Sequence, residues 1–124
     1  MSDTYRILVT GSRDWDNPQT IWTALADTVR PIPHDRNITI VHGDCPRGAD
    51  AIADDWARKY GTAIERHPAN WGTHGRGAGP RRNAHMVGLG ADVCLAFIKN
   101  GSRGATGCAD LAEAAGIPTT RWTA

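Results

Sequence analysis

The chain has 124 residues, enough for one domain with one hydrophobic core and too few for a second. Hydrophobic residues make up 40% and charged residues 22%, which excludes an intrinsically disordered chain. Fourteen basic residues against 13 acidic ones give a formal net charge of +1, which argues against a broad surface that coats nucleic acid. A small basic pocket remains compatible with this balance.

Cysteine usage and hydropathy indicate the compartment. Cys45, Cys94 and Cys108 are odd in number and lack paired spacing, so they predict reduced thiols rather than a disulfide framework. The N-terminal residues show no signal-peptide pattern, and no apolar run approaches the roughly 18 residues that a membrane helix needs. We therefore expect a cytoplasmic protein, in the host cytoplasm if a phage encodes it.

Apolar runs and helical periodicities alternate along the chain. Buried strands are predicted at residues 6–10, 37–41, 62–67, 92–98 and 119–122. Helices are predicted from Asn17-Pro18 to the prolines at 31 and 33, from Ala49 to Gly61, at residues 80–89, and from residue 104 to 115. Residues 68–79 are predicted to form a long Gly-rich loop, with no indication of whether it closes over a site.

Strict alternation of strands and helices predicts one Rossmann-like α/β domain over residues 1–124. It has three layers: a five-stranded, mainly parallel sheet in the order 3-2-1-4-5, with helices on both faces. Ligands bind such sheets at the carboxyl ends of the strands where the order reverses, here between the first and fourth strands.

The loops at that edge combine small residues with arginine. Gly and Ser allow backbone N–H groups to approach an anion, and arginine grips phosphate with paired hydrogen bonds. We predict a phosphate-bearing ligand with the following binding residues: Gly11, Ser12, Arg13, Gly43, Asp44, Arg47, Gly48, Trp71, Arg82, Asn83, Gly101, Ser102, Arg103, Gly104 and Thr106. Alternatively, residues 101–106 form a tight turn with a capping Ser, and Trp71 anchors its loop instead of stacking on a base.

Asp44 is the candidate for accepting hydrogen bonds from ribose hydroxyls, and Asp44 and Asp50 are the candidates for general acid–base work, with helix capping as the alternative for each. No metal is predicted, because the five histidines are scattered and no Cys-x-x-Cys or His-x-x-x-His pair occurs. A nucleophile is not predicted either, because Ser12 lacks the G-x-S-x-G context and Cys94 and Cys108 fit the core. The G-x-G-x-x-G and P-loop patterns are absent.

Taken together, the loop motifs resemble the YspA-like, cpYpsA-related branch of the SLOG superfamily, whose Rossmann-like relatives include the LOG and DprA domains. The motifs are residues 7–13, 42–50, 79–83, 101–104 and 115–118, in the family's order. The resemblance implies binding or sensing of a nucleotide-derived ligand such as a nucleoside phosphate, ADP-ribose or an NAD-like molecule. Small members of this kind occur in phage genomes, which makes a phage origin plausible.

The resemblance also implies an alternative function, hydrolysis of a nucleotide N-glycosidic bond, as in the LOG branch. The LOG motif Pro-Gly-Gly-x-Gly-Thr-x-x-Glu departs here at Asn100, Ser102, Ala105 and Cys108, and Cys108 replaces its glutamate. By analogy to DprA, a third reading is a module that binds nucleic acid or a protein partner, although the balanced charge makes nucleic acid the weaker choice. A homodimer or higher homo-oligomer is also expected, because some of the five Trp could lie at an interface rather than in one core.

Overall fold

A computed structural model describes residues 4–124 of the chain. Within that range the helices and strands alternate as predicted: β1 Thr4–Gly11, α1 Pro18–Val29, β2 Asn37–His42, α2 Ala49–Tyr60, β3 Ala63–Arg66, α3 Trp71–His74, α4 Ala78–Leu89, β4 Val93–Ile98, α5 Arg103–Ala114 and β5 Thr119–Thr123. The sheet order is β3-β2-β1-β4-β5, and each neighbouring pair is parallel. The predicted fold class and strand order are confirmed.

Side chains on alternate positions of the central strands supply two cores, one on each face of the sheet. Ile7 and Val9 of β1 pack with α1 and α2 on one face. Leu8 points to the other face, where Met86 of α4 and Cys108 of α5 are buried. Because both faces are covered, the central strands consist of continuous apolar runs rather than alternating ones.

The ends of two helices follow the sequence signals. Asn17 caps α1, its side chain accepting a hydrogen bond from Gln19 N, and Pro18 stands at the first helical position. Gly61 ends α2 with a left-handed φ of 71°. These local signals therefore set the bounds of both helices.

The prediction of a loop over residues 68–79 is wrong from residue 71 onward. Residues 71–74 form α3, residues 75–77 form a 3₁₀ turn, and α4 begins at Ala78 rather than at Pro80. The Asn70 side chain caps α3 by accepting from Thr73 N at 3.1 Å. Pro80 is tolerated because it lies in the first turn of α4, where its missing N–H would have no helical partner.

Most of the tryptophans lie in or against the core. Trp15 and Trp56 are buried, and Trp22 and Trp122 pack against the same cluster. Trp71 alone among the five is exposed, at 48% of its surface. Core packing thus accounts for four of the five, and the homo-oligomer stays a prediction that light scattering can test.

Three further predictions can be compared with the structure. Cys94 and Cys108 are fully buried in the core, as expected. Within residues 4–124, no helix is both long enough and apolar enough to cross a membrane. The domain was predicted to begin at residue 1, and residues 1–3 lie outside those described.

Candidate functional site

A cavity of about 610 Å³ opens at the carboxyl edge of the sheet, at the reversal of strand order between β1 and β4. The segments that follow β1, β2 and β4 form it together with the start of α4. Predicted binding residues that line it are Gly11, Arg13, Gly43, Arg47, Trp71, Arg82, Asn83, Ser102, Arg103 and Gly104, and the catalytic candidate Asp50 also lines it.

Three of the arginines that line this cavity are exposed. Arg13, Arg47 and Arg103 line it, and none of them forms an ion pair with any residue of the range 4–124. Elsewhere in that range, exposed arginines such as Arg58 and Arg66 pair with Asp54. Unpaired guanidinium groups around one concave site favour an anionic ligand.

Arg82 differs from these three because the protein itself engages its guanidinium. Its Nε donates to Asn83 Oδ1 at 2.7 Å, and its Nη1 donates to the backbone oxygens of Gly43 and His67. A Cβ on Gly43 would lie 2.6 Å from the Arg82 Cζ, so this close approach requires glycine. Arg82 therefore joins the loop after β2 to α4, while its neighbour Arg81 is exposed and does not line the cavity.

Three helices begin at the cavity, and none has a side-chain hydrogen bond at its N-cap. The cap residues are Gly48 for α2, Gly77 for α4 and Ser102 for α5. The first turns of α4 and α5 contain no acidic residue. The positive ends of their dipoles add to the attraction for an anion.

Ser12 is buried and does not line the cavity, because its polar atoms hold the surrounding loops together. Its N–H donates to Phe97 O at 2.9 Å, its carbonyl accepts from Ala49 N at 3.2 Å, and its Oγ accepts from Lys99 N at 2.8 Å. The residue predicted to touch phosphate thus connects β1, β4 and α2. Gly48 packs against the Ser12 carbonyl with a φ of 76°, which explains its glycine.

The floor of the cavity is polar and buried, unlike its arginine rim. Thr10, Asp50 and Asn83 line it, and each exposes 7% of its surface or less. Asp50 Oδ2 accepts a long hydrogen bond of 3.3 Å from Cys45 N. Burial raises the pKa of the Asp50 carboxyl, a change that His42 and Arg82 partly oppose.

Asp44, the other acidic candidate, is exposed and does not line this cavity. Its φ is 57°, and its N–H donates to His42 Nδ1 at 2.9 Å. It lines a separate depression of about 340 Å³ that also contains Asp54 and Arg66. The two acidic candidates, six residues apart, therefore lie in different depressions.

Ligand atoms of His42, Asp44 and Asp54 lie within 4.8 Å of one another, which is the spacing of a metal site. The acceptor at His42 Nδ1 puts the ring proton on Nε2, which donates to Asp54 Oδ2 at 2.7 Å. Asp54 also binds Arg66, whose hydrogen bond is the main reason that its pKa is lowered. His42 thus bonds the Asp44 backbone and the Asp54 carboxylate, so the cluster contains a hydrogen-bond network that holds the loop after β2.

Trp71 and Arg13 meet at the mouth of the cavity. The Arg13 guanidinium lies 5.1 Å from the centroid of the Trp71 ring, a cation–π contact. A Cβ on Gly79 would lie 3.3 Å from the ring, so the absence of a side chain there lets Trp71 approach α4. The ring is therefore anchored on one side and half exposed on the other.

Two predicted residues, Gly101 and Thr106, lie near the cavity without lining it. Gly101 has a φ of 62° in the turn before α5, and Thr106 N donates to Ser102 O within the first turn of that helix. Residues 101–106 thus form a turn followed by a helix start, and the Ser102 side chain makes no capping bond.

The cavity also contains residues that the sequence analysis did not assign to it: Val9, Thr10, Asp14, Cys45, Gly79, Pro80, Met86 and Ala105. Thr10 carried a detectable signal, because it is the polar end of an otherwise apolar strand. Gly79 and Pro80 belong to the motif at residues 79–83, but no binding role was predicted for them. Val9, Met86 and Ala105 resemble core residues in sequence and carried no such signal.

The thiols are poor nucleophiles. Burial raises the pKa of Cys45 and Cys108, and it raises that of Cys94 to about 12. Cys108, at the position of the LOG glutamate, is fully buried and does not line the cavity.

The fold and this cavity define a Rossmann-like α/β protein whose strand-end loops converge on one basic pocket. The chain belongs to the YspA, cpYpsA-related SLOG family, whose model matches residues 5–74. It is 48% identical over 118 residues to the Gene 61 protein of Mycobacterium phage D29, with 91% of this chain and 92% of the relative covered. No solved structure shows significant similarity to it.

Proposed function

We propose that the protein binds or senses a nucleotide-derived ligand, such as a nucleoside phosphate, ADP-ribose or an NAD-like molecule, in the cavity at the carboxyl edge of its sheet. The observation that carries the proposal is the convergence, on a cavity where three helices begin, of three arginines that have no ion-pair partner among residues 4–124. Membership of the SLOG family supports a nucleotide-related ligand.

The phosphate is assigned to the rim. Arg103 and Gly104 belong to the first turn of α5, whose N–H groups and dipole favour an anion, and Arg13 faces the same cavity. The base is assigned to the exposed side of Trp71, because aromatic stacking contributes about 1–3 kcal/mol per base and needs an accessible ring.

A thermal-shift screen against AMP, ADP, ADP-ribose, NAD, cyclic nucleotides and free phosphate tests the proposal. A ligand that binds only the folded state adds about 2.7 kcal/mol at a hundred times its Kd, or roughly 10 °C for a domain of this size. A positive ligand then goes to calorimetry. No shift with any of these ligands would count against a nucleotide site.

Arg103→Ala is expected to weaken binding of a positive ligand by about 1.5–3 kcal/mol, the range for a hydrogen bond to a charged group. Arg30→Ala is the matched control, because Arg30 is the C-cap residue of α1 and pairs with Asp27 in an exposed ion pair. Equal affinities of the wild type and Arg103→Ala would overturn the assignment of phosphate to α5.

Hydrolysis of a nucleotide N-glycosidic bond is the second candidate function. The burial of the Asp50 carboxyl group beside the cavity favours it. A buried carboxyl group with a raised pKa beside a ligand cavity suits a general acid that protonates the leaving base. Chromatography of AMP, NAD and ADP-ribose after incubation with the wild type and Asp50→Asn tests it. Release of base by the wild type alone would support hydrolysis, and no release at high protein concentration would reject it for these substrates.

A further inference from the structure

Charge is distributed unevenly through the cavity. Its exposed rim carries Arg13, Arg47 and Arg103 against one acidic residue, Asp14, whereas its buried floor carries the carboxyl group of Asp50 beside neutral Thr10 and Asn83. A phosphate that descended to the floor would meet this carboxyl group. The part of a ligand that reaches the floor is therefore uncharged, while its anionic part stays at the rim.

The floor is also rich in hydrogen-bonding capacity that the protein leaves unused. A carboxyl group accepts about four hydrogen bonds, and Asp50 receives a long one of 3.3 Å from Cys45 N. The Asn83 Nδ2 donates to Gly104 O at 3.4 Å, and its second proton is available. Among the five buried polar side chains of residues 4–124, three line this cavity.

We infer that Asp50 accepts a hydrogen bond from a sugar hydroxyl of the ligand, so that the floor is a subsite for ribose and the protein selects ribonucleotides over deoxyribonucleotides. The inference rests on the proposed nucleotide site. The pentose lies between phosphate and base, and the buried Asp50 lines the same cavity as the exposed arginines and the half-exposed Trp71. A pentose is therefore the part of a nucleotide that can reach Asp50 while its phosphate stays at the rim.

A carboxyl group could also accept a hydrogen bond from an amino group of the base. The experiment must therefore distinguish a hydrogen bond from the sugar hydroxyl from one donated by the base. The probes are AMP, 2′-deoxy-AMP, 3′-deoxy-AMP and purine riboside 5′-monophosphate, which lacks the amino group. Their affinities are measured by calorimetry on the wild type, Asp50→Ala, Asp50→Asn and Asp27→Ala, with thermal melts of every variant to establish folding.

The wild type is expected to bind at least one deoxy probe about tenfold more weakly than AMP, the loss for a hydroxyl bonded to a carboxylate. The probe without the amino group should bind like AMP. Asp50→Ala should bring the ratio of AMP to deoxy-AMP affinity close to one. Asp27→Ala, a change in an exposed carboxylate on α1, should keep the wild-type ratio. If Asp50→Ala fails to fold, Asp50→Asn replaces it and should reduce the ratio.

Four outcomes would overturn the inference. Equal binding of AMP and both deoxy probes by the wild type would reject the ribose subsite while leaving the nucleotide site intact. A loss of affinity confined to the probe without the amino group would show that the protein recognises the base and not the sugar. A preference for AMP that survives in both Asp50 variants would remove Asp50 from the recognition. Binding of none of the probes would reject the proposed nucleotide site and this inference together.

Discussion

Gly48, the residue before α2, offers the sharpest test of how the cavity is assembled. Its φ of 76° and ψ of −147° fall in a region that is almost restricted to glycine. A Cβ at this position would meet the Ser12 carbonyl oxygen and would lie 2.6 Å from Arg13 Cα, both of them backbone atoms that cannot move alone. Gly48→Ala therefore carries two separate costs.

The backbone conformation costs about 1–3 kcal/mol, and the steric overlap adds about 1–3 kcal/mol. The total of about 2–6 kcal/mol is a large part of the roughly 5–15 kcal/mol that stabilises an ordinary domain. Urea unfolding followed by tryptophan fluorescence measures the loss, because Trp15 and Trp56 are buried in the folded state.

Gly61→Ala is the control without the steric overlap. Gly61 also has a positive φ, 71°, but its ψ of 23° places it in the left-handed helical region, and a Cβ there would meet no atom within 4 Å. Gly61→Ala should cost only about 1–2 kcal/mol, the backbone contribution. Equal losses of unfolding free energy for the two variants would refute the reasoning that contact between α2 and the loop after β1 excludes a side chain at Gly48.

Two further predictions concern stability. Ser12→Ala should lower the free energy of unfolding by about 1–3 kcal/mol, because it leaves the Lys99 N–H without its acceptor at 2.8 Å. Urea titrations measure the loss, and an unchanged midpoint would contradict the structural role of Ser12. Glu65→Gln should cost about 1 kcal/mol at neutral pH, since Glu65 forms a two-fold hydrogen-bonded pair with Arg6 and solvent partly screens it. The Arg6 hydrogen bonds lower the pKa of Glu65 to about 2, so its stabilisation is complete above its ordinary pKa of 4.5 and is lost as the pH falls toward 2. Thermal melts of the two proteins should converge over that pH window, and a constant difference would contradict the assignment.

Information that is local along the chain determined much of the fold. Alternating apolar runs and amphipathic helices predicted the parallel sheet and its order, because right-handed crossovers leave few other topologies. Asn17-Pro18 and Gly61 marked helix ends through their own conformational preferences. The same topology brought the loops after β1, β2 and β4 to one edge, and so most of the predicted binding residues to one cavity.

Where tertiary contacts outweigh local preference, the sequence alone was insufficient. The Gly-rich segment at residues 71–79 reads as a loop by composition, yet it is largely helical, with Asn70 capping α3 and Ala78 and Gly79 buried. Helix propensity is a weak preference of at most about 1 kcal/mol for glycine, which packing readily overrides.

The directions of side chains were likewise decided only by the folded chain. Asp44 and Asp50 are equivalent candidates in the sequence, but a positive φ at Asp44 and its bond to His42 leave it beside Asp54, whereas α2 buries Asp50 against the cavity. Ser12 and Arg82 look like ligand-binding residues, yet their polar atoms hold neighbouring loops. A polar group can bind a ligand only if the folded protein does not already use it in an internal hydrogen bond. The spacing of residues along the sequence does not show which polar groups are used in this way.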